Sequence, residues 1–377
     1  MTILILGAGA FCLAALFLHL VSVLVVLARV RKANAPPEFT AEVSVIRPVC
    51  GIENYLEATL TSTFRLNYPA YEIIFCVARA DDEALPLIRR LIAQHPAVQA
   101  RLLIGDDRVS DNPKLNNLAK GWHAARHDWV VLADSNVLLP PDYIACLFAR
   151  WRANTGLVCS PPIGCRPHGF WAELECAFLN TYQARWQLFA DRVGLGFAQG
   201  KTMLWHRKTL EPVGGLRALS AEPAEDAAAT KLLRKAGLRV NLVNRPFPQP
   251  LGRRSAGDVG RRQLRWARLR RDTFKGFYAL EILSGSVPPL LAGVIVASAA
   301  GWPAAISLAL LAAIWYGAEA LLASATGWHF SRWSLCAWLV RDLLIPVLWA
   351  ASWVGNNFTW RGTPMSVSRA VRGAHPR

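Results

Sequence analysis

The chain lacks any spaced set of soft metal ligands. Its eight cysteines are scattered, with Cys12 and Cys336 inside apolar runs and no CxxC spacing among Cys159, Cys165 and Cys176, which argues against a disulfide framework or a cysteine zinc site. The eight histidines form no HExxH pair, so any metal is expected on carboxylates and phosphate oxygens. Acidic residues are scarce: 26 Asp and Glu stand against 42 Lys and Arg, a net charge of +16. Such an excess suits nucleic acid, an anionic lipid surface or a phosphate-bearing substrate. With no zinc-finger spacing, recognition-helix pattern or RNA-binding aromatic signature, nucleic acid is the weakest of the three. A complete phosphate loop is missing as well, because in the stretch Gly194 to Thr202 the first glycine of GxxxxGK[ST] would fall at 195, which is Leu. No internal repeat or low-complexity tract is present.

Apolar residues, by contrast, are abundant, at 53% of 377. From Ile3 to Ala28 only His19 and Ser22 interrupt them, and Arg29, Arg31 and Lys32 follow at once. This run is long enough for about 30 Å of hydrocarbon. With no charged segment before it and no small-x-small cleavage site, it reads as a membrane anchor rather than a signal peptide. The positive-inside rule then places the following chain in the cytoplasm. Apolar runs return at Val287–Ala300, Ala304–Ala325 and Trp333–Gly355, the first two as a hairpin through Gly301-Trp302-Pro303. The third carries Arg341-Asp342 and Pro346. Each charge at a helix centre costs about 2.5 to 3.5 kcal/mol, so this run is expected to be re-entrant or interfacial. That keeps the basic tail (Arg361, Arg369, Arg372, Arg377) cytoplasmic. The resulting division is an anchor (1–32), a soluble domain ending in a basic interfacial segment (33–280), a second membrane region (281–358) and a basic tail (359–377).

Between the membrane runs, short apolar stretches rich in β-branched residues alternate with helical patterns. Strands are expected at 43–48, 71–78, 100–104, 127–136 and 156–160, with helices near 53–66 and 83–95 and another opened by Pro113-Lys114. This βαβ rhythm predicts an α/β fold with a mainly parallel, Rossmann-like sheet. The strand ending in Ala133-Asp134-Ser135-Asn136 delivers Asp134 to its carboxyl end, where such sheets bind ligands. Asp81-Asp82 closes a second strand at the same edge. An Asp in such a place serves equally as a turn or helix-capping residue. The helix start Glu225-Asp226-Ala227-Ala228 has an equally plain reading, acids favourable to the helix dipole. Eight arginines and one lysine crowd residues 252 to 275 around Arg262-Gln263-Leu264-Arg265-Trp266, a run that by default is a solvated or membrane-surface helix. An aromatic-rich helical pattern at 169–190 (Phe170, Trp171, Phe178, Tyr182, Trp186) is core by default and, beside a membrane, could line a lipid groove.

The order Asp82, Asp134, Asp226, Arg262-x-x-Arg265-Trp266, with Pro113-Lys114-x-Asn116-Asn117 and Trp360-Arg361-Gly362, resembles the ceramide glucosyltransferases of glycosyltransferase family 21. The resemblance covers nearly the whole chain. It implies a GT-A fold and an integral protein of a bacterial inner membrane whose cytoplasmic domain moves glucose from UDP-glucose to ceramide with inversion. It further implies Asp82 by the nucleotide, Lys114 at the donor, and Asp134 by the diphosphate and a divalent metal (Mg²⁺ or Mn²⁺). Arg262, Arg265 and Trp266 would hold the diphosphate, and Asp226 would be the base. Such chemistry needs cations where a diphosphate leaves and a carboxylate where a hydroxyl loses its proton. Two departures stand out: Asp134 opens Asp-Ser-Asn rather than Asp-x-Asp, and Glu-Asp-Ala-Ala replaces an aromatic continuation after Asp226. Another lipid acceptor such as a hopanoid, or another UDP-sugar, fits the same chemistry. A non-catalytic membrane protein would have no need of three separately placed aspartates.

Overall fold

In the computed structural model, which describes residues 2–32, 39–360 and 363–367, the β-branched runs become strands. These are β1 (Val43–Val49), β2 (Tyr71–Val77), β3 (Gln99–Ile104), β4 (Trp129–Ala133), β5 (Thr155–Cys159), β6 (Pro162–His168), β7 (Thr202–His206), β8 (Arg239–Leu242) and β9 (Phe247–Arg253). Seven of them form one sheet in the order β3-β2-β1-β4-β7-β5-β8, while β6 and β9 pair separately. The strands from β3 to β4 are all parallel, as the alternation of strands and helices predicts. β7 runs antiparallel between β4 and β5, and no expectation from the sequence covered it. The fold is a mixed, mainly parallel α/β sheet.

This sheet belongs to one of two compact units, comprising the described residues of 32–165, Ala190–Gly252 and those of 357–367. Its core is the two faces of the sheet. Val45, Ile46, Ile73, Val131 and Leu204 are fully buried, and each such side chain contributes roughly 1.5–3 kcal/mol. The helix Pro113–Ala124 lies tight on β1 and β2 because position 121 is glycine: a Cβ there would stand 2.6 Å from Cys76 Sγ and 2.7 Å from Ile46 Cγ2. Its start is set by Asn112, whose side-chain oxygen accepts from the amides of Lys114 and Leu115, with Pro113 in the first turn. Asn117 donates to the carbonyls of Cys76 (2.9 Å) and Val49 (3.3 Å) at the ends of two strands. Asn116 accepts from the amides of Val109 and Ser110. The two asparagines of the Pro-Lys-x-Asn-Asn stretch thus fix backbone, leaving Lys114 as its chemical member. Of Trp360-Arg361-Gly362, Arg361 and Gly362 lie outside the described residues, as do residues 368–377 of the tail.

The second unit gathers the N-terminal helix Thr2–Arg31 with Arg166–Phe189 and Arg253–Asn356. Helices Thr2–Arg31, Ala304–Thr326 and Ser334–Ser352 are each long and apolar enough to cross a membrane. Helix Val287–Ala299 continues the segment Lys275–Leu283 after a 45° bend. Leu13, Ile306 and Leu343 point outward with at least half their surface exposed, the apolar exterior that suits hydrocarbon. The Gly169–Ala190 pattern is a continuous helical stretch, α-helical at Phe170–Ala177 and Arg185–Arg192 with a π-helical segment, Phe178–Ala184, between. Phe178 and Tyr182 pack with Ile345, Leu344 and Leu348, a core role.

Charge inside this unit is paired. Arg341 forks onto both oxygens of Glu319 (2.8 and 2.9 Å), bonds Asp342 at 2.7 Å and donates to Thr181 Oγ1, which itself donates to Glu319. Asp342 also accepts from Tyr316 Oη and the Ser286 amide. Arg185 donates to the Thr181 carbonyl and to Ser22 Oγ. Ser334–Ser352 is therefore one unbroken helix across Arg341-Asp342 and Pro346, and the charge cost that argued for a re-entrant segment is offset by partners inside the unit. The basic segment is solvated at its start, where Asp258 and Arg261 are exposed, and paired further along. Its helix Ala256–Thr273 begins at a Ser255/Asp258 capping box. Arg270 forks onto Glu281 at 2.6 and 2.8 Å, and Arg271 reaches Asn356 at 2.6 Å.

Candidate active site

The antiparallel register of β4 and β7 pairs Ala133 with Thr202, so the residues just beyond, Asp134 and Lys201, face each other, and the Asp134 amide donates to the Lys201 carbonyl at 3.0 Å. The loop after β4 is held from below by Arg47 of β1. Its guanidinium, fully buried, donates to the carbonyls of Ser135 and Val137, both at 3.1 Å, and to Thr63 Oγ1 at 2.9 Å. Thr59 Oγ1 adds a 2.6 Å bond to the Ser135 carbonyl. The carboxyl end of a central strand is thereby clamped at a fixed height.

On this base a cluster of charges assembles. Lys114 Nζ lies 2.6 Å from Asp134 Oδ1, 2.6 Å from Glu225 Oε1 and 2.6 Å from the Gly200 carbonyl. Lys201 Nζ lies 2.9 Å from Asp134 Oδ2 and 3.1 Å from Asn136 Oδ1. Asp226, in the first turn of helix Glu225–Lys235, accepts from the Gly200 amide at 2.9 Å and from the Ala227 amide at 2.8 Å. Glu225 takes a further 3.0 Å bond from Asn112 Nδ2. Gly200 is the pivot: a Cβ there would sit 2.8 Å from Glu225 Oε1, 3.3 Å from Asp226 Oδ2 and 3.4 Å from Lys114 Nζ, so the backbone approaches three functional groups only because the side chain is absent.

The electrostatics separate the two aspartates. Burial alone would raise the Asp134 carboxyl, but the ammonium groups of Lys114 and Lys201 outweigh it and hold Asp134 well below the usual carboxylate range. Burial would likewise discharge Lys114, yet Asp134 and Glu225 keep it firmly protonated. Asp226 moves the other way. Burial and the neighbouring Glu225 charge push its carboxyl up to about 6, against the pull of the Gly200 amide, Lys114 and the Ala227 amide. One carboxylate is locked in its ionised form and the other is poised near neutrality.

The residues expected from the sequence are thus distributed unevenly. Lys114, Asp134 and Asp226 come together. Asp82 accepts from the amides of Gly51 (3.0 Å to each oxygen) and Ala84 (2.9 Å), tying the loops after β1 and β2, and among the described residues it shares no hydrogen bond or ion pair with that cluster. Arg262, Arg265 and Trp266 lie on helix Ala256–Thr273 of the other unit, all half-buried. There Arg262 pairs with the buried Glu175, which Arg254 also approaches at 3.3 Å, and the Arg262 guanidinium lies 6.0 Å from the centre of the Trp266 ring. Three participants went unassigned by the sequence. Glu225 was legible as the partner of Asp226 in one helical turn, Arg47 only as a charge inside an apolar strand, and Lys201 only as the lysine of a failed phosphate loop.

Asp134 and Asn136 offer hard oxygens of the kind Mg²⁺ and Mn²⁺ prefer. No group of three or more His, Cys, Asp or Glu placed to hold a metal exists among the described residues. One carboxylate with an amide oxygen fits a nucleotide-borne ion, whose other ligands are substrate phosphates and water.

A ceramide glucosyltransferase of Caenorhabditis elegans is 28% identical over 265 residues, 70% of this chain and 57% of that protein. A second from the same organism is 25% identical over 329 residues, 85% of this chain and 71% of that protein. The chain therefore spans a little over half the length of the first of these relatives. Among solved structures, a mannosyltransferase from Pyrobaculum calidifontis, in complex with GDP-Man and Mn²⁺, superposes with a TM-score of 0.51 at 20% identity, covering 89% of this chain and 99% of that one. That likeness shows the fold. The sequence profile of glycosyl transferase family 21 matches residues 8–372, from the first apolar helix to the basic tail, and the chain belongs to that family.

Proposed function

We propose that the protein transfers glucose from UDP-glucose to the primary hydroxyl of ceramide, inverting the anomeric carbon. The observation that carries the reading is the shared bridge of Lys114 and Gly200: it binds the ionised Asp134 on one side and, on the other, Asp226, whose carboxyl is pushed up to about 6. A leaving diphosphate needs cations and an attacking hydroxyl needs a base, and this arrangement offers both within one cluster. Asp226 takes the hydroxyl proton. Lys114 meets the diphosphate, Asp82 lies by the nucleotide, and Arg262, Arg265 and Trp266 hold the donor. Asp134 with Asn136 would hold a Mg²⁺ or Mn²⁺ ion, which when bound supplies positive charge to the diphosphate. The unit bearing the sheet faces the cytoplasm of a bacterium from its inner membrane.

Purified protein in lipid, given radiolabelled UDP-glucose and ceramide, should yield labelled glucosylceramide. Activity should fall in EDTA and return with Mg²⁺ or Mn²⁺. Labelled lipid of another class would move the acceptor to a different lipid such as a hopanoid, and no labelled lipid with any acceptor would overturn the reading. Full activity in chelator would remove the metal from Asp134. For orientation, a cysteine at an exposed position such as Arg79 should resist an impermeant reagent in intact cells, and external labelling would reverse the assignment.

A further inference from the structure

At one edge of the sheet unit two helix ends meet and leave cations and apolar side chains facing outward together. Helix Arg185–Arg192 stops in a Schellman motif: the Gly194 amide donates to the Asp191 carbonyl at 3.1 Å and the Leu195 amide to the Ala190 carbonyl at 2.8 Å, with Gly194 at φ 83°. Helix Glu225–Lys235 ends in the same way, Gly237 donating to Arg234 at 3.1 Å and Leu238 to Leu233 at 2.9 Å. Arg234 joins the two, its guanidinium donating to the carbonyls of Gly196 (3.2 Å) and Leu195 (3.4 Å). The edge strand β8 starts beside them, so that Asp191, Gly194, Gly196, Arg234 and Arg239 border one recess.

This surface is basic and apolar at once. Arg192, Lys235 and Arg239 are exposed, and among the described residues their side chains share no ion pair or hydrogen bond. The carboxylate on the recess, Asp191, is paired with Arg150 at 3.3 Å. Val193 and Leu195 are 55% and 52% exposed. Plain reasons cover part of this: cations suit helix C-termini, and a charge on an edge strand blocks pairing. They do not cover Leu195. A Schellman motif ordinarily packs the apolar residue at that place back onto its own helix. Leu238, at the matching place of the second motif, is half-buried, whereas Leu195 points outward. In sequence the loop comes directly after Arg166–Phe189, a segment of the membrane unit. Aliphatic side chains ringed by cations are the pattern of a surface that enters anionic lipid.

We propose that this edge of the sheet unit docks on anionic phospholipid, Val193 and Leu195 entering the boundary between headgroups and acyl chains while Arg192, Lys235 and Arg239 meet the phosphates. Charge complementarity selects the occupant. A second copy of this chain, at +16, would be repelled. A polyanion such as RNA would satisfy the cations and leave two aliphatic side chains in water. Each cation near a lipid surface of this kind is worth about fivefold in binding, and three together about a hundredfold. The inference goes beyond the reaction proposed above and does not depend on its sugar or acceptor.

Full-length protein in nanodiscs of phosphatidylcholine, alone or mixed with phosphatidylglycerol, provides the test, with amide hydrogen exchange followed by mass spectrometry. With phosphatidylglycerol, exchange at Val193–Gly196 should slow about tenfold or more, and salt at about 0.5 M should remove most of the difference. A variant combining Arg192→Gln, Lys235→Gln and Arg239→Gln should exchange alike in the two lipids. Leu195→Ser, with every cation in place, should lose at least about half of the slowing. Equal exchange in the two lipids for the unaltered protein, which needs no variant to fold, would overturn the proposal. So would a lipid dependence that survives removal of the three cations, or the full slowing in Leu195→Ser. Slowing that follows the number of protein copies per disc and ignores the lipid would give the surface to a second copy and overturn it equally.

Discussion

Two clusters of buried charge in this protein each set basic side chains against carboxylates and differ in balance. In the membrane unit, Arg341 meets Glu319 and Asp342 while Arg185 bonds the neighbouring Thr181, and the side chains of Arg341, Glu319 and Asp342 are at most 1% exposed. In the sheet unit, Lys114 and Lys201 meet Asp134, Glu225 and Asp226, an excess of acid, and the side chains of Lys114, Lys201 and Asp134 are 12%, 14% and 19% exposed. The first set is closed and matched in charge. The second is open on one side and carries one carboxyl pushed up to about 6. A matched, sealed network specifies packing, because breaking it leaves a charge without solvent or partner. An unmatched cluster with an open side can gain a proton, a cation or an anion, which is what chemistry requires.

That contrast can be broken most sharply at Asp226. Asp226→Asn keeps the size and the bonds from Gly200 and Ala227 but cannot take a proton, so kcat should fall by roughly 10² to 10⁴ while UDP affinity changes little. If Asp226 merely starts a helix, Asn will serve as well and turnover will stay near normal.

The membrane cluster should respond in stability instead. Arg341→Met takes away the cation that bonds both Glu319 and Asp342, and unfolding in detergent should become easier by about 3 to 5 kcal/mol. Replacing Arg341 and Glu319 together by apolar residues keeps the set matched in charge and should recover part of that loss. A single Arg341→Met variant as stable as its parent would show that the network does not hold the unit.

A smaller effect distinguishes the clusters by pH. Turnover needs Asp226 ionised, so kcat/KM should rise through about pH 6 and level off above it. Lys114→Met removes a charge that keeps Asp226 ionised, and the rise should move to higher pH. The stability consequence has the opposite sense. The folded carboxyl holds its proton more tightly than the ordinary value of 3.8, so its contribution is fully present below 3.8 and is lost as pH climbs to about 6. A Tm profile of Asp226→Asn that keeps the parent's fall over this window would assign it to another group.

Least affected should be Asn112→Ala. It removes the cap of helix Pro113–Ala124 at a cost of about 1 kcal/mol, and through Glu225 it loosens Lys114. A modest drop in Tm with turnover lowered only a few-fold is expected. A loss as large as that of Asp226→Asn would make Asn112 part of the reaction.

Periodicity and composition determined the strands β1 to β5, the helices between them and the apolar helices, because these follow from which side chains must leave water along a local stretch. The order of Asp82, Asp134, Asp226 and Arg262-x-x-Arg265-Trp266 determined the family, since a motif series is a property of the chain alone. Pairing across distance was not legible. Strand β7, only five residues long, carries no signal that it inserts antiparallel beside β4, yet that insertion makes Lys201 the neighbour of Asp134. The same holds for Arg341-Asp342, which look costly in an apolar run until Glu319 and Thr181 are brought to them. Burial pattern is local, whereas the energy of a buried charge depends on the groups that surround it in space, and only the tertiary structure supplies those.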